Sequence, residues 1–233
     1  MKEFAKEGAA HGTVIVAESQ NAGVGRRGRV WESPVGDNLY MTLLLRPQIE
    51  TDKASMLTLV MAHSIAKVLR HLGFADTKIK WPNDLILNQK KVCGILTEMA
   101  LKGTEIDYVL IGVGINVNQK TFPASLQKTA TSLLIESNRN VDKTYLLECI
   151  LDMFDTEYNT FLACKDLSFM KESYEDMLVN REKEVRVLEP EQEFSGIALG
   201  INEQGELIVQ KEDGSQQAIY AGEVSVRGVY GYV

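Results

Sequence analysis

The texture of the chain changes after about Asn180, and that change bounds the fold. Before it, strand-like and helix-like runs alternate. Thr13–Ala17 reads as a short strand and Leu39–Leu45 as a strongly apolar one. Met56, Leu57, Val60, Met61, Ile65, Val68, Leu69 and Leu72 recur at helical spacing, with Gly73 placed to stop the helix. Asp84–Leu87 and Val92–Glu98 read as strands around a hairpin turn at Asn88-Gln89-Lys90-Lys91. Ile106–Val117 is a further strand interrupted by Gly112 and Gly114. A second amphipathic helix over Lys143–Leu162 carries Ile150, Leu151, Phe154, Tyr158 and Phe161 inward, with Asp142 as its cap. After Asn180 come only short β-rich runs at 184–188, 193–199, 207–210, 217–220 and 224–226, separated by polar turns, the pattern of a small barrel or sandwich. We therefore expect two units, residues 1–180 and 181–233.

Charge and cysteine usage exclude several classes of function. The net charge is -7, and residues 181–233 alone hold ten Asp/Glu against five Lys/Arg, so no general nucleic-acid surface is expected. No apolar run reaches membrane-spanning length, and Met1-Lys2-Glu3-Phe4 is not a secretory start. Cys93, Cys149 and Cys164 have no ligand spacing, which with the foregoing predicts a reduced, cytoplasmic protein. His11, His63 and His71 are too scattered for a metal site; His63 and His71 fall in a helical pattern as packing or surface residues.

Four clusters carry chemistry. Gly23-Val24-Gly25-Arg26-Arg27-Gly28-Arg29 follows the first strand. Its glycines permit close backbone approach, and its arginines offer forked donors to carboxylate or phosphate. Alone it fits a solvated basic turn equally well. Lys80-Trp81-Pro82-Asn83-Asp84 combines a proline that breaks regular pairing with a large stacking surface and two polar side chains. A carboxylate there would suit Mg²⁺ on a triphosphate; the bland alternative is a turn around a buried Trp. Lys91 precedes Gly94 and an apolar strand that would aim it inward. Gly112-Val113-Gly114-Ile115-Asn116 places two glycines and an amide at a strand, without the third glycine of a dinucleotide fingerprint. No G-x-x-x-x-G-K-[ST] phosphate loop is present.

In this order, with Ala17-Glu18-Ser19-Gln20, Trp31 and Gly222-Glu223-Val224-Ser225, the clusters resemble the biotin protein ligases over essentially the whole chain. The resemblance implies an α+β fold: a mixed-sheet catalytic domain of the biotin/lipoate ligase, class II synthetase-like type, followed by an SH3-like β-barrel. It implies an enzyme that joins biotin and ATP, with Mg²⁺, into biotinyl-5′-AMP and then transfers biotin to a lysine of a biotin carboxyl carrier protein. A homodimer is common in the family. By matching positions, Ser19, Gln20, Val24, Gly25, Arg26, Lys91 and Gly94 would bind biotin. Arg26, Arg29, Trp31, Asn83, Gly114 and Asn116 would bind ATP. Lys91, Arg29 and Asp84 would be catalytic, with Asp84 also the metal ligand.

Two departures stand out. Val24 occupies a position where the family has arginine, so any contact there is through backbone. The family's Ser-Thr-Asn element is missing ahead of Thr13, which we read as a truncated start. The amino-terminal DNA-binding domain that some members carry is missing too, so neither repressor function nor DNA as a partner is expected. Related alternatives are a lipoate–protein ligase and a non-catalytic biotin- or carrier-binding module.

Overall fold

The computed structural model describes residues 1–188 and 193–221, and the backbone of 225–228. Gly222, Glu223 and Val224 lie outside the described residues. Eleven strands and five helices are described: α1 (Lys2–Lys6), β1 (Val14–Ala17), β2 (Leu39–Leu45), α2 (Met56–His71), β3 (Lys78–Lys80), β4 (Asp84–Leu87), β5 (Lys90–Lys102), β6 (Glu105–Ile115), α3 (Leu133–Ser137), α4 (Lys143–Cys164), α5 (Lys171–Met177), β7 (Lys183–Leu188), β8 (Glu193–Ile201), β9 (Leu207–Gln210), β10 (Gln216–Ile219) and β11 (Ser225–Gly228). The fold is α+β. One six-stranded sheet has the order β1-β2-β6-β5-β4-β3, and a five-stranded antiparallel sheet has the order β10-β9-β8-β7-β11. The ladders of the larger sheet are antiparallel; its parallel pairings are the isolated bridges Ile79–Leu178 and Lys91–Ala130.

Alternation along the strands divides the larger sheet into two faces. Met41 and Leu43 of β2, Ile95 of β5, and Ile111 and Val113 of β6 belong to the main core, which also takes in α2 and α4. Leu44 and Leu110, one residue out of phase, pack with Ala5 of α1 on the other face. Helix α2 is buried nearly all round from Met56 to Ala66, so its polar members need internal partners. Glu157 of α4 supplies them. Its Oε1 lies 2.8 Å from His63 Nδ1 and accepts from Lys67 Nζ at 3.0 Å, while Oε2 accepts from Ser64 Oγ at 2.6 Å. Burial alone would raise the Glu157 carboxyl; these partners outweigh it and hold the group below its ordinary value. Asp142 caps α4 by accepting from the amides of Thr144 and Tyr145.

Three local expectations need correction. The hairpin turn is only Asn88-Gln89, both at positive φ, and Lys90 and Lys91 already belong to β5. Gly112 and Gly114 do not interrupt β6; they pair across to Leu96 and Gly94. Trp81 is a core residue rather than a ligand platform: it is 2% exposed, and its Nε1 donates to Gly205 O at 2.9 Å. That bond ties the larger sheet to the turn between β8 and β9. One hydrophobic cluster accordingly contains Leu59 of α2, Leu167, and Val185 and Leu207 of the second sheet.

Candidate active site

The face of the large sheet opposite α2 bears a cavity of about 430 Å³. Its floor follows from the alternation just described: Thr42 of β2, Leu96 of β5, and Gly112 and Gly114 of β6 line it. Gly94 and Gly114 are direct cross-strand partners. Both are glycines because Trp31 lies against them. A Cβ on Gly114 would stand 2.6 Å from Trp31 Nε1, and one on Gly94 would stand 2.9 Å from the same indole. Trp31 Nε1 is buried there without a hydrogen-bond partner among the described residues.

The Gly/Arg segment is a folded flap over this floor. Val24 bridges Val30, Gly25 N donates to Arg29 O at 2.7 Å, and Trp31 N donates to Gly23 O at 2.9 Å. A 3-10 turn at Arg26–Gly28 closes the tip, with Arg27 (φ 58°) and Gly28 (φ 70°) in the left-handed region. Gln20 Oε1 accepts from Ser33 Oγ at 2.7 Å, bracing the flap's base.

A β-bulge brings the charged groups together. Asp84 pairs with Gly94 and Leu85 with Cys93, but Ile86 pairs with Lys91, leaving Val92 as the extra residue. Val92 and Cys93 both enter the core, and Lys91 is returned to the open face beside Gly94. There Lys91 Nζ lies 2.6 Å from Asp84 Oδ1 and 5.2 Å from the centroid of the Trp31 ring. Their side chains are 23% and 16% exposed, so the pair is partly shielded from water. Burial pushes the neighbouring Cys93 thiol up and keeps it inert.

Asn83 continues the edge of the sheet without being in a strand. Its carbonyl accepts from Ile95 N, and its Nδ2 donates to Ile95 O, each at 2.9 Å. That leaves Asn83 Oδ1 to accept from Arg26 Nη1 at 3.1 Å. Arg26 Nη2 donates to Ala221 O at 2.5 Å, so one guanidinium joins flap, sheet edge and carboxy-terminal segment. Burial pulls Arg26 below its usual value; Asp84 opposes that shift, and Arg27 and Arg29 add to it.

Of the residues singled out from the sequence, Gln20, Val24, Gly25, Arg26, Trp31, Asn83, Lys91, Gly94 and Gly114 line the cavity. Asp84 joins them through Lys91, so its carboxylate faces an ammonium group. Ser19 and Arg29 are not among the lining residues, and Arg29 is exposed. Asn116 is buried beside the cavity, its Nδ2 donating to Thr131 O at 3.0 Å. Sequence reasoning missed Thr42, Leu96 and Glu98, which the two-residue alternation of β2 and β5 identifies. It also missed Lys2, whose Nζ pairs with Glu98 at 2.7 Å on the cavity wall.

Residues 1–116 match the Biotin/lipoate A/B protein ligase family, and residues 182–227 match the Biotin protein ligase C terminal domain. The bifunctional ligase/repressor BirA of Bacillus spizizenii is 36% identical over 228 residues, covering 96% of this chain and 69% of the relative. The chain belongs to the biotin protein ligase family. A biotin–[acetyl-CoA-carboxylase] ligase of Paracoccus denitrificans is 31% identical, with 92% and 90% of the two chains covered. Among solved structures, the biotin protein ligase of Aquifex aeolicus in complex with biotin and ATP superposes with a TM-score of 0.86 at 29% identity, covering 97% and 94% of the two chains. Within the described residues, no helix of this biotin protein ligase family member is long and apolar enough to cross a membrane.

Proposed function

We propose that this chain activates biotin with ATP as biotinyl-5′-AMP, releases pyrophosphate, and transfers biotin to a lysine of an acetyl-CoA-carboxylase carrier domain. The observation that carries this reading is the Lys91–Asp84 pair set at the edge of the glycine floor, under a flap anchored by Arg26. In the first step a biotin carboxylate oxygen attacks the α-phosphorus and the bond to the pyrophosphate oxygen breaks. Negative charge passes from the attacking carboxylate oxygen to the leaving pyrophosphate oxygen, so fixed cations and positioning dominate. In the second step a lysine amine attacks the anhydride carbonyl and AMP leaves.

Lys91 is assigned to the carboxylate oxygen and then to the carbonyl of the mixed anhydride. A mobile point charge suits an oxygen that changes role between steps. Asp84 pairs with Lys91 and is assigned to accept a proton from the incoming amine. Arg26 and Arg29 are assigned to phosphate, Trp31 and Gly114 to the base and linker, and Asn116 to the adenine edge through Oδ1. Gln20, Ser19, Val24, Gly25 and Gly94 are assigned to biotin. Residues 1–180 then form the catalytic unit, and 181–233 a small barrel whose junction holds Arg26.

ATP brings Mg²⁺ in such reactions. Among the described residues no three metal-ligating side chains converge, and Asp84 is already paired with Lys91. The phosphates and water would therefore supply most of the ion's ligands, with Asp84 assigned as its protein carboxylate.

The match of residues 182–227 to a biotin ligase terminal domain favours biotin over lipoate. The test is biotin-dependent release of pyrophosphate from ATP, followed by labelling of a carrier domain. Binding of lipoate without binding of biotin would overturn the reading.

A further inference from the structure

A second cavity, of about 330 Å³, lies on the helix-covered side of β5, between its residues 95–99 and the start of α2. It meets the first at Arg26, Asn83, Ile95 and Leu96, which line both. Its chemistry differs from the first. Arg26 and Arg27 contribute two guanidinium groups, and the hydroxyls of Thr51, Ser55, Thr58 and Thr97 line the wall opposite. Among the described residues the lining includes no carboxylate, although the protein carries a net charge of -7. Thr58 Oγ1 donates to Thr97 Oγ1 at 2.7 Å, so Thr97 accepts there and its own O–H remains to donate. Arg27 lines this cavity and not the first. The Ser55 hydroxyl donates to Asp52 O and that of Thr58 to Thr97, so the hydroxyls of Thr51 and Thr97 and two forked cations, without a competing carboxylate among the described residues, are what suit an oxyanion with many oxygens.

We infer that this second cavity receives the leaving pyrophosphate, with Arg27, Thr51 and Thr97 as its binding residues and Thr58 orienting the Thr97 hydroxyl. The inference rests on the proposed adenylation. It follows from the join between the cavities: a carboxylate in the first and a leaving group in the second approach the shared Arg26 and Asn83 from opposite sides, as in-line displacement at phosphorus requires. The electron pair of the broken P–O bond ends on the pyrophosphate oxygen, where the guanidinium groups stabilise it. The adenylate stays behind in the first cavity, on the far side of Arg26, while pyrophosphate departs by its own route.

The experiment compares the intact protein with Arg27→Gln and with Thr58→Val/Thr97→Val, each checked for an unchanged melting curve. Two readouts are needed. One is the inorganic pyrophosphate concentration that half-saturates re-formation of ATP from bound biotinyl-5′-AMP. The other is transfer of biotin from supplied biotinyl-5′-AMP to the carrier, which needs no pyrophosphate. Either variant should raise the first about tenfold or more and leave the second unchanged within about twofold. Unchanged pyrophosphate dependence in both variants overturns the assignment. A defect confined to carrier transfer also overturns it and gives the cavity to the carrier peptide. Calorimetric titration with inorganic pyrophosphate alone, with sulfate as competitor, requires no turnover. Weaker binding in the variants supports the cavity even if adenylation fails, and equal displacement by sulfate refutes a selective site.

Discussion

Lys91 and Asp84 lie seven residues apart on neighbouring antiparallel strands, yet the bulge at Val92 sets Nζ 2.6 Å from Oδ1 on the ligand-facing side of the sheet. Each group holds the other in place before any ligand arrives. In the proposed reaction, Lys91 would therefore exchange a carboxylate of the protein for a carboxylate of the substrate.

Lys91→Ala removes the cation assigned to the reacting oxygen. Adenylate formation should fall by about 3 kcal/mol of transition-state stabilisation, on the order of a hundredfold in rate. Single-turnover pyrophosphate release measures this directly. A rate within a few fold of the parent would return Lys91 to an ordinary surface ion pair.

Gly114→Ala tests the floor. The added methyl would stand 2.6 Å from Trp31 Nε1 and 2.7 Å from the adjoining ring carbon, so the indole must move. Overpacking of this kind costs roughly 1–3 kcal/mol. Biotin and ATP affinities should drop together while the flap's arginines remain intact. Wild-type affinities in calorimetry would show that the indole is not a fixed wall.

Arg26→Ala cuts the bonds to Asn83 Oδ1 and Ala221 O together. The flap loses its anchor, and the reactive adenylate should dissociate about tenfold faster or more. Released biotinyl-5′-AMP would then label lysines beyond the carrier. Retention equal to that of the parent, followed by a spin-column assay, contradicts the flap as the closing element.

Glu157 links stability to pH. Its carboxyl sits below the ordinary value of 4.5 in the folded state, so its contribution is present above that pH and fades as pH falls through the folded value. Glu157→Gln should cost about 3 kcal/mol at pH 7, because it strips His63, Ser64 and Lys67 of a buried charged partner. The gap between parent and variant in thermal melts should narrow below pH 4.5. A gap constant down to pH 3.5 would refute the linkage.

Much of the architecture was legible because the core strands and long helices announce themselves by period. β2 and β4 were read with their observed bounds, and Asp142 caps α4 as anticipated. The short elements α1, β3, α3 and α5 were not, since segments of three to seven residues carry too little pattern to outweigh context. Glycines misled for a related reason. Gly112 and Gly114 look like breaks in a sequence, yet β6 runs through both, and Gly114 makes room for a side chain 83 residues away, the indole of Trp31. Trp81 was ambiguous between stacking surface and core; only its bond to Gly205 decides it. The roles of Asn83 and Glu157 arise from three-dimensional neighbours that no local spacing encodes.

Two-residue alternation along β5 works as a reading frame, and Val92 is its one inserted letter. Were the ladder to run without the bulge, strict alternation counted from Gly94 would turn Val92 to the open face and the ammonium of Lys91 into the hydrocarbon interior, at a cost of several kcal/mol. The frameshift thus joins chemistry to folding: the same irregular pairing that buries Val92 in the core keeps the ammonium of Lys91 on the open face beside Asp84.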